Sequence, residues 1–356
     1  MKNSKINCLK GFRCGEFAVW RRTAAVSAAV LGLVIAGPVM AQDKALKKVT
    51  LVLEWIGYQP QHFGFWIAKD RGWYTDAGLD VKIRGGRGSG QVIQIMAGNG
   101  AEFSNVAAST FTQAMGKSKL PLKMVALWGQ KDILSVAYFE STGIKSVKDF
   151  EGKRMGIVPG SMAHIIWPAF TKAAGIDASK VKLLHWDWRS FFGIWAAKKV
   201  DISANSALGI ATPDMFKRKQ GEIVKNVVFS DFLPILGPGV MVHDDTIAKN
   251  PDMVRAFVKA TQKAWTYMRD DPDAATLEAA KIVSKNYEKI DPIPALASYA
   301  KEVVPGHMVS AATKGKPVGW MSPASWRKMV DLLASHDKKM TSKPALADLM
   351  TNRFAE

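Results

Sequence analysis

The stretch LDVKIRGGRGSGQVIQIMA, residues Leu79–Ala97, contains the structural unit that recurs along the chain. Leu79–Ile83 alternates apolar and polar side chains, which is typical of a strand, and glycines follow at positions 85, 86, 88 and 90. Ser89 then begins a segment to Ala97 whose apolar residues have helical spacing. A strand, a glycine-rich turn and a helix are therefore predicted, the unit from which parallel sheets are built.

A glycine-rich turn before a helix raises the question of whether it holds a phosphate or another anion. The glycines lack the G-x-x-x-x-G-K-[ST] spacing, and the third glycine of G-x-G-x-x-G would fall on Gln91, so a nucleotide is not indicated. Backbone N–H groups at the positive end of the helix can still receive an anionic or strongly polar group. The candidate ligand-binding residues here are Gly86, Arg87, Gly88 and Ser89, and a plain tight turn is the alternative.

The first 41 residues have the features of a secretory signal peptide. A basic segment that ends at Arg22 precedes the apolar run TAAVSAAVLGLVIAG and the small-residue site PVMA, which ends at Ala41. We therefore expect cleavage before Gln42 and a mature protein in the periplasm. The Arg21–Arg22 pair leaves open whether export uses the general or the twin-arginine route.

The composition of residues 42–356 argues against several classes of chemistry. Both cysteines, Cys8 and Cys14, precede Ala41, so the mature chain has no disulfide, thiol nucleophile or thiolate metal site. Its formal charge of +13 comes from scattered lysines, which indicates a solvated basic surface rather than a nucleic-acid site. The histidines lack metal-site spacing, and no G-x-S-x-G elbow is present. We expect no catalytic residue, no metal, no cofactor and no enzyme activity.

Alternating strands and helices continue through most of the chain, which predicts α/β architecture with parallel-type sheets and helices on both faces. Two apolar segments, Ile133–Glu140 and Gly239–Asp244, are expected to carry the chain between two lobes and back. The predicted lobes are 42–135 with 240–356, and 136–239. Further strands are predicted at Lys48–Trp55, 101–107, Leu122–Trp128, Arg154–Val158, 181–186 and 200–205.

Ligands in open parallel sheets bind beyond the carboxyl ends of the strands. Besides the glycine turn, those ends place seven aromatic, hydroxyl or amide residues and one arginine in the candidate site: Trp55, Asn105, Trp128, Ser161, Trp186, Trp188, Arg189 and Asn205. Trp55 can either fill the core or stack on a ligand, and one of Trp186 and Trp188 is expected to stack on a flat ligand. Arg189 or Arg87 can bind a carboxylate or sulfonate, with a surface ion pair or plain solvent exposure as the alternatives.

Several motifs resemble one family of periplasmic solute receptors. They are LVLEW, QHFGFWIAKDRGWYTDAGLDVKI, AGNGAEFSN, SVKDFEGKRMGIVPGS and KKVDISAN, within about Lys48 to Asp273. The family comprises receptors of ABC importers for sulfonates, taurine, nitrate and the pyrimidine precursors of thiamin. Glu102 stands where its members often carry Asp, at a place whose usual role is structural.

The resemblance implies a two-lobed type II binding protein with a hinge made of two crossovers. It also implies a small-molecule ligand held between the lobes, and delivery by a monomer to an inner-membrane permease with its ATPase. Two alternatives stay open: a periplasmic sensor for a signalling partner, and an enzyme related to the fungal pyrimidine synthase of the same fold. The synthase carries a cysteine-rich iron-binding motif that the mature chain lacks.

Overall fold

The computed structural model describes residues 45–55, 57, 59–186, 190–205, 221–287 and 306–356, with the backbone alone for Phe191, Phe192 and Asn205. The predicted signal peptide, Trp188 and Arg189 lie outside the described residues. The chain from Lys44 to Glu356 is one compact unit.

Ten strands form two five-stranded sheets. The first sheet has the order β2-β1-β3-β10-β4 and the second the order β7-β6-β8-β5-β9. The strands are β1 (Lys47–Leu53), β2 (Leu79–Gly85), β3 (Phe103–Ala107), β4 (Leu122–Ala126), β5 (Ser135–Phe139), β6 (Arg154–Ile157), β7 (Lys182–His185), β8 (Ile202–Asn205), β9 (Val224–Val228) and β10 (Pro238–His243). Each sheet therefore has four strands that run in the same direction and one strand, β10 or β5, that arrives from the other sheet.

The sheets are mixed, which corrects the expectation of parallel-type sheets. β1 pairs in parallel with β2 and β3, and β6 with β7 and β8. β10 is antiparallel to β3 and β4, and β5 is antiparallel to β8 and β9. The reversal occurs because β5 and β10 enter their sheets from a crossover rather than from a helix that returns the chain to the same edge.

Eleven described helices cover the sheets. They are α1 (Phe63–Asp70), α2 (Trp73–Asp76), α3 (Ser89–Ala97), α4 (Ala108–Lys117), α5 (Met162–Ala173), α6 (Phe191–Ala196), α7 (Asp244–Lys249), α8 (Pro251–Asp270), α9 (Pro272–Asn286), α10 (Pro323–His336) and α11 (Leu346–Leu349). The predicted bounds of α3 are confirmed, whereas α4 and β9 were not predicted. Within the described ranges, no helix has the length and apolarity that a membrane crossing needs.

The apolar core is continuous between the sheets. One cluster packs the first sheet against α1, α8 and α9, and it contains the stacked rings of Phe103 and Phe257, 3.8 Å apart. A second cluster contains Val52 of the first sheet and Ile157 of the second, together with Trp326 of α10. The C-terminal helix α10 therefore contributes to the core that the two sheets share.

Two crossover segments join the sheets and lie side by side. Residues 127–134 lead from β4 to β5, and residues 229–237 lead from β9 to β10. The Gly129 N–H donates to the Pro238 carbonyl at 2.9 Å, and the Gly237 N–H donates to the Gly129 carbonyl at 2.9 Å. A Cβ atom at Gly129 would lie 2.7 Å from the Pro238 nitrogen, so glycine permits this close approach. The predicted two crossovers are present, while the exact lobe boundaries remain a prediction.

Candidate functional site

The glycine turn after β2 is tied to the end of β1 by backbone hydrogen bonds. The Gly88 N–H donates to the Glu54 carbonyl at 2.6 Å, and the Gly86 N–H donates to the Trp55 carbonyl at 3.3 Å. The Arg87 N–H donates to Gln91 Oε1 at 2.8 Å. Three of the four N–H groups predicted to receive an anion are therefore already used within the protein.

Glycine is required at two positions of this turn, for different reasons. Gly88, which precedes the first residue of α3, has a φ of +111°, a conformation that strains any other residue. A Cβ atom at Gly86 would lie 2.6 Å from the Leu53 carbonyl oxygen, so a side chain would push the turn away from β1. Both requirements come from the protein itself, so the role of these glycines toward a ligand stays a prediction.

The Ser89 hydroxyl is bound to a carboxylate that the sequence analysis did not single out. Ser89 Oγ donates to Glu54 Oε2 at 2.5 Å. The Ala107 N–H, at the end of β3, lies 3.1 Å from both Glu54 Oε2 and Ser89 Oγ. The side chain at the end of β1 thus joins the carboxyl ends of β1 and β3 to the start of α3. Glu54 Oε1 makes no hydrogen bond with any described residue.

A second buried carboxylate, Asp132, lies in the first crossover. Its oxygens accept hydrogen bonds from Ser109 Oγ at 3.1 Å and from the Leu134 N–H at 2.9 Å. Burial raises the pKa of Asp132 to about 6. Burial also raises the pKa of Glu54 to about 7, and repulsion by Asp132 contributes in the same direction. The two acids are therefore close enough to interact, and they lie between the first sheet and the crossover.

Trp55 follows Glu54 and is half-buried. Its ring lies beside the glycine turn: if Gly88 carried a Cβ atom, that atom would be 3.9 Å from Trp55 Cζ3. This is an ordinary van der Waals distance, so the absent side chain of Gly88 leaves room over the ring edge. The structure thus brings Trp55, Gly88 and Ser89 together, as the sequence predicted, and adds Glu54 to them.

Asn105 of β3 is paired with Trp128 of the first crossover. Trp128 Nε1 donates to Asn105 Oδ1 at 3.0 Å, and both side chains are fully or almost fully buried. The bond fixes the amide orientation, and Asn105 Nδ2 has no hydrogen-bond partner among the described residues. Because solvent does not reach that nitrogen, a ligand would contact it only after a rearrangement.

At the corresponding edge of the second sheet, the described polar groups bond to one another. Ser161 caps α5, where its hydroxyl accepts a hydrogen bond from the His164 N–H at 3.3 Å. The Gly160 N–H donates to His164 Nδ1 at 2.8 Å. Burial and the neighbouring His185 ring, 5.7 Å away, lower the pKa of His164. The polar groups here are thus largely occupied by local contacts.

Trp186 is a core side chain in this structure. It is 7% exposed and packs with Phe139 and Trp195 in a small cluster behind the second sheet. Its ring fills the space where Gly156 of β6 lacks a side chain. Trp186 therefore fills the core in this structure, in place of the ligand contact expected of it or of Trp188. Asn205 ends β8, opposite Ser135 of β5.

No group of three or more His, Cys, Asp or Glu side chains in the described parts of the chain has metal-binding geometry. Glu102, the departure from the family pattern, accepts a hydrogen bond from the Thr50 N–H at 2.7 Å, which is a structural contact. The features at the end of the first sheet are therefore one half-buried ring, one hydroxyl and two carboxylates of raised pKa. This arrangement is suited to holding a small polar molecule.

Known proteins resemble the chain in both sequence and fold. A protein of Brucella abortus described as a binding protein is 22% identical over 279 residues, covering 75% of this chain and 82% of the relative. A 4-amino-5-hydroxymethyl-2-methylpyrimidine phosphate synthase of Saccharomyces cerevisiae is 25% identical over 246 residues, covering 65% of this chain and 70% of the enzyme.

Among solved structures, the periplasmic aliphatic sulphonate binding protein SsuA of Escherichia coli superimposes with a TM-score of 0.63. It is 14% identical, and the match covers 85% of this chain and 96% of that protein. The predicted periplasmic binding protein fold is thereby confirmed. Residues 59–275 match the model of the family described as NMT1/THI5 like. The chain belongs to the NMT1/THI5-like family.

Proposed function

We propose that the protein is the extracytoplasmic solute-binding component of an ABC importer. It captures one small planar solute, aromatic or heterocyclic, and passes it to a permease and its ATPase in the inner membrane. The observation that carries this proposal is the half-buried Trp55 ring beside Gly88, at the carboxyl ends of β1 and β2 and next to the crossovers. A ring in this position can stack on a flat ligand.

The two crossovers support a receptor that closes around its solute. They connect the sheets through two adjacent segments that hydrogen-bond to each other, which is the arrangement expected of a hinge. A solute that contacts both sides would stabilise the closed form by its greater affinity for that form. The fold shared with the sulphonate-binding protein of Escherichia coli supports the same role.

The sequence also allowed an organic anion, such as a sulfonate or an aryl carboxylate. Glu54 disfavours this class at the glycine turn, because its carboxylate already accepts the Ser89 hydroxyl and the Ala107 N–H. We therefore retain the planar solute and place its ring against Trp55. Binding without turnover is proposed, since the described residues offer no acid, base and nucleophile in mutual contact.

A thermal-shift screen of the purified protein tests this function. The screen covers aryl carboxylates, sulfonates, aminopyrimidines, amidines and other flat heterocycles of similar size. A solute that binds the folded state raises the melting temperature, by an amount that grows with its concentration above Kd. The expected result is a stabilising compound that is recovered chemically unchanged at one molecule per chain. Recovery of an altered compound, or the absence of any stabilising compound, would contradict the proposal.

A further inference from the structure

We propose that Glu54 is the specificity-determining residue of the solute site, and that it selects a flat ligand carrying a cationic or N–H-rich group, such as an amidinium. The proposal rests on the proposed solute-binding function and specifies its ligand class. The glycine turn in the sequence predicts an anionic ligand group, whereas this proposal predicts a cationic one. The reason is that the protein supplies its own carboxylate at the start of α3.

The first step is that a carboxylate of the protein itself already lies beside the predicted anion site at the start of α3. Glu54 Oε2 receives the Ser89 hydroxyl and the Ala107 N–H, at 2.5 and 3.1 Å. The N–H groups of Gly86 and Gly88 donate to backbone carbonyls. A negatively charged ligand group would find the N–H groups of Gly86, Arg87 and Gly88 already bonded, and it would meet a carboxylate.

The second step is that one carboxylate oxygen of Glu54, Oε1, is available to a ligand. The bonds from Ser89 and Ala107 both go to Oε2, so they fix the carboxylate while Oε1 has no partner among the described residues. A carboxylate with one oxygen held and one available accepts well from N–H groups. Because Ser89 of α3 and Ala107 of β3 hold the Glu54 carboxylate in one orientation, it favours ligands whose N–H groups match that orientation.

The third step is that an aromatic ring adjoins this carboxylate in the chain. Trp55 is half-buried, and it lies against the open space at Gly88. The face of an indole ring attracts cations, and a flat cation can stack on it while its N–H groups point to a carboxylate. A ring and a carboxylate at one strand end therefore favour the same ligand class.

The charged surroundings agree with this choice. Among the described residues, Asp132 of the first crossover is the acid that repels Glu54, and its own oxygens accept from Ser109 and Leu134. Arg87, the nearest basic residue along the turn, is exposed. A ligand cation relieves the repulsion between the two carboxylates, whereas a ligand anion increases it.

Calorimetric titration with benzamidine and benzoate at pH 8 tests the proposal. These probes share a ring and differ in the sign of their charge. The expected result is binding of benzamidine at one per chain, with benzoate at least about tenfold weaker. Glu54→Gln should weaken benzamidine binding by about tenfold or more, since the amide keeps an oxygen for Ser89 but loses the charge. Tighter binding of benzoate would overturn the proposal.

A matched variant and a measurement on the unaltered protein complete the test. Glu102→Gln removes the same charge where the carboxylate accepts the Thr50 N–H, and it should leave benzamidine affinity within about twofold. Between pH 6 and 8, benzamidine affinity of the unaltered protein should rise as Glu54 ionises, which needs no variant. Equal effects of both variants, or no rise with pH, would contradict a role for Glu54. If neither benzamidine nor benzoate binds, the proposed ligand class is wrong. The proposed solute-binding function would still hold if an anion in the solute screen stabilised the protein.

Discussion

The two sheets have the same strand order but use the polar groups at their carboxyl ends differently. In the first half, the turn at Gly88 leaves open space beside a half-buried Trp55, and Glu54 keeps an oxygen available. In the second half, Trp186 fills the space at Gly156 and Ser161 caps its own helix. Among the described residues, the first sheet therefore has open space beside a tryptophan ring at its carboxyl end, whereas the corresponding tryptophan of the second sheet fills the core.

This difference shows that the position of a side chain on a strand end does not decide its role. Trp55 and Trp186 both follow strands of parallel β-α-β units, and both were predicted to contact ligand. Both rings adjoin a glycine, but a Cβ atom at Gly88 would lie 3.9 Å from the Trp55 ring, whereas one at Gly156 would lie 2.1 Å from the Trp186 ring. The Trp186 ring therefore occupies the space that a side chain at Gly156 of β6 would take, and burial in the core stabilises it.

The largest expected effect concerns Trp186. Trp186→Ala should lower the free energy of unfolding by about 3–5 kcal/mol, because it removes a buried ring and leaves a cavity against Gly156. Urea denaturation measures this change. A loss below about 1 kcal/mol, together with loss of solute binding, would instead make Trp186 a ligand contact and remove the contrast between the halves.

The next effect is the pH dependence of stability in the first half. Folding raises the pKa of Glu54 from 4.5 to about 7 and that of Asp132 from 3.8 to about 6. The folded state therefore binds more protons between about pH 4 and 7, and stability should fall as the pH rises through this window. Glu54 alone accounts for about 3 kcal/mol, at about 1.4 kcal/mol per unit of pKa.

Denaturation of the unaltered protein and of Glu54→Gln between pH 4.5 and 8 measures this dependence. The variant cannot ionise at this position, so its stability should vary less with pH over the same range. If the two proteins lose stability in parallel, the carboxylate of Glu54 does not carry the raised pKa.

A smaller effect is expected at the glycine turn. Gly88→Val should cost about 1–3 kcal/mol of stability, since a β-branched residue is strained at a φ of +111°. It should weaken solute binding by a similar amount, because the new side chain occupies the space beside Trp55. Calorimetry and circular dichroism on the variant measure both. Normal folding with unchanged affinity would mean that the turn has no contact with solute.

The smallest effect comes from the neighbouring glycine, which serves as a control for the turn. Gly90 lies in the first turn of α3, and a Cβ atom there would meet nothing within 4 Å. Gly90→Ala should therefore raise the free energy of unfolding by about 0.4–1 kcal/mol through lower entropy of the unfolded chain. Thermal denaturation detects this rise, and a clear loss of stability would show that the turn is tighter than its contacts indicate.

Local patterns predicted most of the elements but not their long-range partners. The bounds of α3 follow from Ser89 and its apolar spacing, whereas the mixed sheets depend on β5 and β10 entering from the crossovers. Glu54 was missed because a glutamate at the end of an apolar strand resembles an ordinary surface acid. Its partners Ser89 and Ala107 are 35 and 53 residues away and meet it through the sheet. The sequence feature that could have indicated Glu54 is its place directly before Trp55 at the end of a predicted strand.

The binding role of Trp55 is the central claim, and titration of Trp55→Ala tests it most directly. The titrant is the tightest-binding compound from the solute screen, and folding is checked by circular dichroism. The account predicts that the variant folds and that its affinity falls by about tenfold or more, through lost stacking and buried apolar area. A folded Trp55→Ala protein that binds this compound with unchanged affinity would contradict the account.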